Sequence, residues 1–190
     1  MDTVGPTVTR TVGHVMGPTH RLTGFAAGAG VALWAGYGPL EVVLSGAFAS
    51  ASSHGGLSPD VDQVKLWVEA RQRMPKSTAR LFNHRNLSHW WGLPILAYVG
   101  VQQLSPDFRW ATLMLLVGWT SHLLGDLIFG ELPLDPAGRH TFGFGLDTGG
   151  FLETGVIKIG GRSRKLLPFG PARVLLSASI LFILFASATN

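Results

Sequence analysis

His84 and His89 stand five residues apart in the segment HRNLSHWW, with Arg85 between them. Directly behind them an uncharged apolar run extends from Trp90 to Leu104. Similar side chains border other apolar segments. His20 stands where the first begins, Asp60 and Asp62 follow the second in SPDVDQ, and His122 and Asp126 lie in SHLLGD. Glu153 follows in GGFLET. Imidazole nitrogens and carboxylate oxygens suit zinc, manganese or iron. A catalytic ion keeps one position for water, whose pKa falls to about 7 on zinc, and a nearby carboxylate can exchange a proton with it. The chemistry within reach of these residue types is metal-assisted hydrolysis.

The spacing gives each pair a local expectation. His122 and Asp126, four apart, share one helical face. His84 and His89 would diverge by about 140° on a continuous helix, so His84 is expected in a lead-in, with Ser88 or Asn86 capping a helix that starts near His89. Asp60 and Asp62 follow Pro59 and read as turn residues, with Asp62 a possible helix cap. Taken alone, His20 reads as a capping or interfacial residue. Asp126 is harder to dismiss, because a carboxylate inside an apolar span costs about 2.5–3.5 kcal/mol at the helix centre and therefore needs a partner. His14, His54 and His140 sit in VGHVMG, SSHGGL and GRHTFG, flexible contexts read as unpaired with carboxylates, and rank below the others.

Five apolar segments must position these groups: Leu22–Tyr37, Leu40–Ser53, Trp90–Leu104, Trp110–Gly130 and Val174–Ala188. Charged residues are 14% and hydrophobic residues 46% of the 190. Mean hydropathy is +0.29. A soluble domain carries about a quarter charged residues, so the composition points to a membrane protein. Small residues such as Gly24, Ala26, Gly28 and Gly30 suit close helix packing in lipid. GYGPLE reads as a tight helical hairpin, VDQVKLWVEARQRM as an amphipathic helix with Val64, Trp67 and Val68 on one face, and the Gly-rich stretch after Arg139 as containing short extended pieces. No cysteine is present, which excludes disulfides and thiolate ligands. The N-terminal residues show no apolar core of a signal peptide.

With five spans, 14 of the 15 Lys and Arg residues fall on one side, Arg109 being the exception. The positive-inside rule makes that side cytoplasmic, together with the N-terminus. The excess of basic residues is thereby explained by topology and anionic headgroups, with no direct nucleic-acid partner. Every metal-capable residue falls on the same cytoplasmic level.

The order TH before the first segment, PDVD after the second, HRNLSH opening the third, SHLLGD ending the fourth and LE further on resembles the YdjM-like family. These are bacterial and archaeal inner-membrane proteins described as LexA-binding and as membrane-bound metal-dependent hydrolases. The resemblance covers roughly residues 19–155 and implies His20, Asp60, Asp62, His84, His89, His122, Asp126 and Glu153 as metal ligands. Ser58, Asn86 and Trp90 depart from the family patterns LPD-I-D and HR-G-x-T-H-S without removing a ligand. The family is similar, at a distance, to zinc-dependent phospholipase C and S1/P1-type nucleases, which implies a phosphoester substrate.

The expected fold is all-α: an integral membrane helical bundle of about five transmembrane helices with a cytoplasm-facing metal centre. Residues 1–190 form a single domain with a motif-bearing core at about 19–155 and a C-terminal span at 174–188. The expected activity is metal-dependent hydrolysis of a phospholipid or lipid-linked phosphate, with zinc, or else manganese, as cofactor. Asp60, Asp62 and Glu153 are each ligand or general base, and Arg85 holds substrate phosphate. Two rivals remain: a scaffold with a structural metal that binds a regulatory protein, and a metal transporter, which would need polar residues through the whole membrane depth.

Overall fold

The computed structural model describes residues 17–144, 146, 156–159, 162–165 and 170–189. It is mostly helical: α1 (Gly17–Trp34), α2 (Pro39–Ser52), α3 (Lys65–Gln72), α4 (Lys76–Leu81), α5 (Gly92–Val101), α6 (Pro106–Phe129) and α7 (Pro171–Thr189). Two 3-10 turns, Pro59–Gln63 and Leu87–His89, precede α3 and α5. Strands β1 (Leu132–Pro133) and β2 (Thr141–Phe142) pair antiparallel, as do β3 (Val156–Ile159) and β4 (Arg162–Lys165).

The α1–α2 hairpin forms because Gly36, at φ 78°, takes the left-handed position that closes α1. Its N–H donates to Leu33 O, and the Tyr37 N–H donates to Ala32 O. Pro39 then starts α2, where its missing N–H is harmless. Small residues let the helices touch. A Cβ at Gly28 would collide with the Ser45 carbonyl, and one at Gly118 with the Ala49 carbonyl and the Ser52 hydroxyl. The Ser52 hydroxyl instead donates to Leu115 O at 2.6 Å, tying α2 to α6. Ala29, Ala32 and Val42 form an apolar core at the end of the bundle that holds the α1–α2 turn, and Ile183 and Leu184 of α7 pack against it.

Beside this small apolar core, burial departs from that of a soluble domain. The interior holds His20, Asp62, His89, His122, Asp126 and several serines, while Ile95, Leu96, Leu175, Leu181, Phe182 and Phe185 face outward. An apolar exterior around a polar, small-residue interior is what lipid as solvent selects. Phe108–Phe129 within α6 and Pro171–Thr189, all of α7, are long and apolar enough to cross a membrane by length and composition.

All five apolar segments of the sequence are helical, with shifted bounds. α1 starts at Gly17, so His20 lies inside its first turn. α5 has only 10 residues, well short of the roughly 20 a full span requires. The expected amphipathic helix is split: its first residues complete a 3-10 turn, because Ser58 caps that turn by accepting from the Asp60 N–H at 3.1 Å. Asp62 caps no helix. Ser88 and Asn86 do not cap α5 either. The chain makes a 3-10 turn first, Ser88 is engaged by Asp62, and the Asn86 amide donates to Arg80 O and Ala137 O. The short extended pieces of the Gly-rich stretch are present as β3 and β4.

Candidate metal centre

His122 and Asp126 occupy the last two turns of α6, and His20 the first turn of α1. Asp60 and Asp62 come from the turn after α2, and His89 from the turn before α5. These elements meet at one end of the bundle. The Asp126 carboxylate lies at their centre. Its Oδ2 is 3.3 Å from His122 Nε2 and 3.4 Å from His89 Nε2. Its Oδ1 is 3.8 Å from His20 Nε2 and 3.7 Å from an Arg85 guanidinium nitrogen. Asp60 approaches the same imidazoles from the other side, 3.7 Å from His89 Nε2 and 3.8 Å from His122 Nε2. His20 stacks on His122 with ring centroids 3.9 Å apart.

The far side of each imidazole fixes its tautomer. His122 Nδ1 lies 2.8 Å from Ser53 O, which can only accept, so Nδ1 carries a proton and Nε2 is the nitrogen turned towards the carboxylates. The Ser88 hydroxyl spends its hydrogen on Asp62 Oδ2 at 2.6 Å, so the 3.1 Å contact with His89 is a donation from His89 Nδ1. His89 Nε2 is likewise the nitrogen turned towards the carboxylates. Both Nε2 atoms are buried, neither makes a hydrogen bond, and both face carboxylate oxygens. Nitrogen and carboxylate oxygens brought this close are stabilised by a cation between them, a proton or a metal ion. An imidazole held through Nδ1 by a carbonyl or carboxylate is the usual support of a metal ligand.

Among the described residues, three groups of donors could hold a metal ion: His20, His122 and Asp126; Asp60, His89 and His122; and Asp62, His84 and His89. Within each, the ligand atoms lie within 4.8 Å of one another. They share His89 and His122, so they form one cluster. A cavity of about 420 Å³ beside them is lined by His20, Asp60, His84, Arg85, His122 and Asp126, among others.

Asp62 sits behind His89. It accepts from Ser88 and from His84 Nδ1 at 3.1 Å. Burial raises its carboxyl, but these hydrogen bonds and the neighbouring imidazoles outweigh that and hold it below the usual carboxylate range. Arg85 adopts φ 64°, a left-handed conformation unusual for a side chain other than glycine. That turn carries its guanidinium over Gly130 and onto Asp126.

The structure thus gathers His20, Asp60, Asp62, His84, Arg85, His89, His122 and Asp126. Glu153 and His14 lie outside the described residues. Two corrections apply. His54 is not unpaired: its Nδ1 is 3.4 Å from Asp60 Oδ2, and it lines the same cavity. His140 pairs with Asp135 at 3.2 Å, largely exposed on the loop after α6. Gln63, which donates to Asp60 Oδ1 at 2.9 Å, and Ser88 were missed as site residues, although both lie inside or beside the quoted motifs.

The sequence model described as YdjM inner membrane protein matches residues 15–188, nearly the whole chain. No curated protein and no solved structure matches it.

Proposed function

Given that the chain belongs to the YdjM inner membrane protein family, we propose that it is a membrane-bound metal-dependent hydrolase acting on a phosphoester, a phospholipid or lipid-linked phosphate. The observation that carries the reading is the pair of buried Nε2 atoms of His89 and His122, neither with a hydrogen bond and both within 4 Å of the carboxylates of Asp60 and Asp126. Nitrogen and oxygen donors fit zinc, with manganese as second choice. His20, Asp60, His89, His122 and Asp126 would hold the ion or ions, and His84 with Asp62 offers a further position. When bound, the ion supplies Lewis acidity and lowers the pKa of water.

The remaining work falls to the chain. The Arg85 fork lines the cavity and can bind phosphate oxygens bidentately. Asp60 borders the cavity and is held by Gln63, so it serves as ligand or as proton acceptor. Asp62, through Ser88, keeps the His89 ring turned and its Nδ1 protonated. The open cavity beside the donors favours a catalytic site over a closed structural one.

In this reading the chain is multi-pass, with a cytoplasmic N-terminus and about five membrane-embedded helices that place the site at the cytoplasmic face. Basic residues there attract anionic headgroups. The test is metal analysis of purified protein followed by hydrolysis assays. Turnover of a phospholipid, lipid phosphate or model phosphodiester should vanish with chelator and return with zinc or manganese. Metal-loaded protein that cleaves none of the three overturns the enzyme reading and leaves a scaffold that binds a regulatory protein.

A further inference from the structure

The segment SSHGGLSPD sets His54 six residues before Asp60. The chain between them turns back on itself. Gly55 takes φ 99°, a backbone that glycine tolerates best, and its carbonyl accepts from both the N–H and the hydroxyl of Ser58. His54 Nδ1 is thereby brought to 3.4 Å from Asp60 Oδ2. The end of α2 thus meets the candidate centre twice: Ser53 O holds the His122 ring, and the next residue faces Asp60. The His54 imidazole is seated against Gly17 at the start of α1, where a Cβ would overlap it.

His54 belongs to none of the three donor groups. Its Nδ1 is nevertheless buried and makes no hydrogen bond among the described residues. A nitrogen and an oxygen bound to one tetrahedral zinc at about 2.0–2.2 Å stand about 3.4 Å apart, whereas a good hydrogen bond would draw them to about 2.7–3.2 Å. His122 and His89 face Asp126 Oδ2 at nearly the same separation, 3.3 and 3.4 Å. The His54 side chain is 37% exposed, against 2% for His122 and 0% for His89. Its ring lines the cavity of the centre and also a second cavity of about 540 Å³ shared with Arg21 and Ser50. His54 therefore stands at an opening of the site, where an ion can enter without passing the inner donors.

We propose that His54 and Asp60 hold a further divalent ion, zinc before manganese, at the mouth of the centre, with water or substrate oxygens completing its shell. The proposal rests on the metal-centre reading and adds a position to it. Asp60 can serve both places, because its Oδ1 is 3.7 Å from His89 Nε2 while its Oδ2 faces His54. Two protein donors leave a zinc shell of about four half open, so this ion binds more weakly than one among the inner donors.

The chain has no cysteine, so His54→Cys places a single thiolate at this position. The longer metal–sulfur bond, about 2.3 Å on zinc, makes up part of the shorter reach of Cys. Full-length protein in detergent micelles is titrated with cobalt(II), which takes zinc positions and gives an intense near-ultraviolet charge-transfer band when bonded to a thiolate. The band should appear in His54→Cys and stay absent from His140→Cys, on the loop after α6. No band in a His54→Cys protein that still binds cobalt overturns the proposal. Counting bound zinc is the second measurement. At saturating zinc, His54→Ala and His54→Phe, the latter keeping a ring against Gly17, should each hold one ion fewer per chain than wild type. Equal counts mean that His54 and Asp60 form an ion pair only, and overturn the proposal. Wild-type protein that binds no metal overturns the proposal and the metal-centre reading together. The band and the lost ion, in protein that cleaves no phosphoester, support the outer position and overturn the hydrolase alone.

Discussion

His122 Nδ1 lies 2.8 Å from the carbonyl oxygen of Ser53, so the end of α2 sets the orientation of an imidazole on α6. The same two helices are brought together one turn earlier, where Gly118 meets Ala49 and Ser52. Ring orientation at the candidate metal centre is therefore a consequence of helix packing.

Gly118→Ala should test that link. The added methyl must displace the Ala49 carbonyl or the Ser52 hydroxyl, and overpacking of this kind costs about 1–3 kcal/mol. Metal affinity and thermal stability should fall together, though no donor is altered. Unchanged affinity in a destabilised protein would separate the ring from the packing.

His89→Ala and Asp126→Ala should each strip bound metal sharply, whereas His14→Ala and His140→Ala should not. His140 is exposed and held by Asp135. Full occupancy in a correctly inserted Asp126→Ala protein removes the proposed centre.

Ser88→Ala should weaken metal binding about 10–100-fold, the usual effect of losing the group that holds a ligating histidine. Asp62→Asn should abolish turnover, and its residual metal reports whether Asp62 supports His89 or is itself a ligand. Wild-type turnover in Asp62→Asn takes Asp62 out of the site.

The same variant carries a pH signature in metal-free protein. Asp62 is held below its ordinary pKa of 3.8 in the folded state. A depressed carboxyl contributes stability that is present above the unfolded pKa and lost as pH falls through the folded one. The melting-temperature gap between wild type and Asp62→Asn should be open at neutral pH and close below about 3.8. A gap independent of pH would mean that Asp62 acts through shape and not charge.

A reporter fused after Arg73 should be cytoplasmic and one at the C-terminus external, from the asymmetry of basic residues. Both on one side would change the number of crossings, and the 10-residue α5 is the first segment to re-examine.

Much of this was legible because it is periodic. The His122–Asp126 spacing put both groups on one helix face, and each apolar run marked a helix, two of them long and apolar enough to cross a membrane. The relay Asp62–Ser88–His89 was not legible, since it depends on a 3-10 turn where the sequence suggested a cap. His54 was passed over because its partner, Asp60, is brought to it only by the fold of the turn after α2. The length of α5 was misjudged for a similar reason: Trp90 and Trp91 look like the start of a span, yet the chain is still completing the turn that aims His89. The left-handed backbone of Arg85 also had no signature, since a side chain other than glycine rarely adopts it.

The shortness of α5 has a consequence for the lipid around it. Its 10 residues rise about 15 Å, while the 24 of α6 rise about 36 Å, against a hydrocarbon layer of about 30 Å. In the proposed five-helix topology the two helices are joined by a short connection at the end remote from the candidate metal centre, so the shortfall of α5 would fall on the leaflet nearest the donors. Hydrophobic mismatch of this kind is relieved when the bilayer thins beside the short helix. The protein would then draw a dimple in the membrane at its own mouth, lowering water and phosphate headgroups towards His89 and Asp126. In that topology bilayer thickness would be a variable that sets how readily the cavity fills.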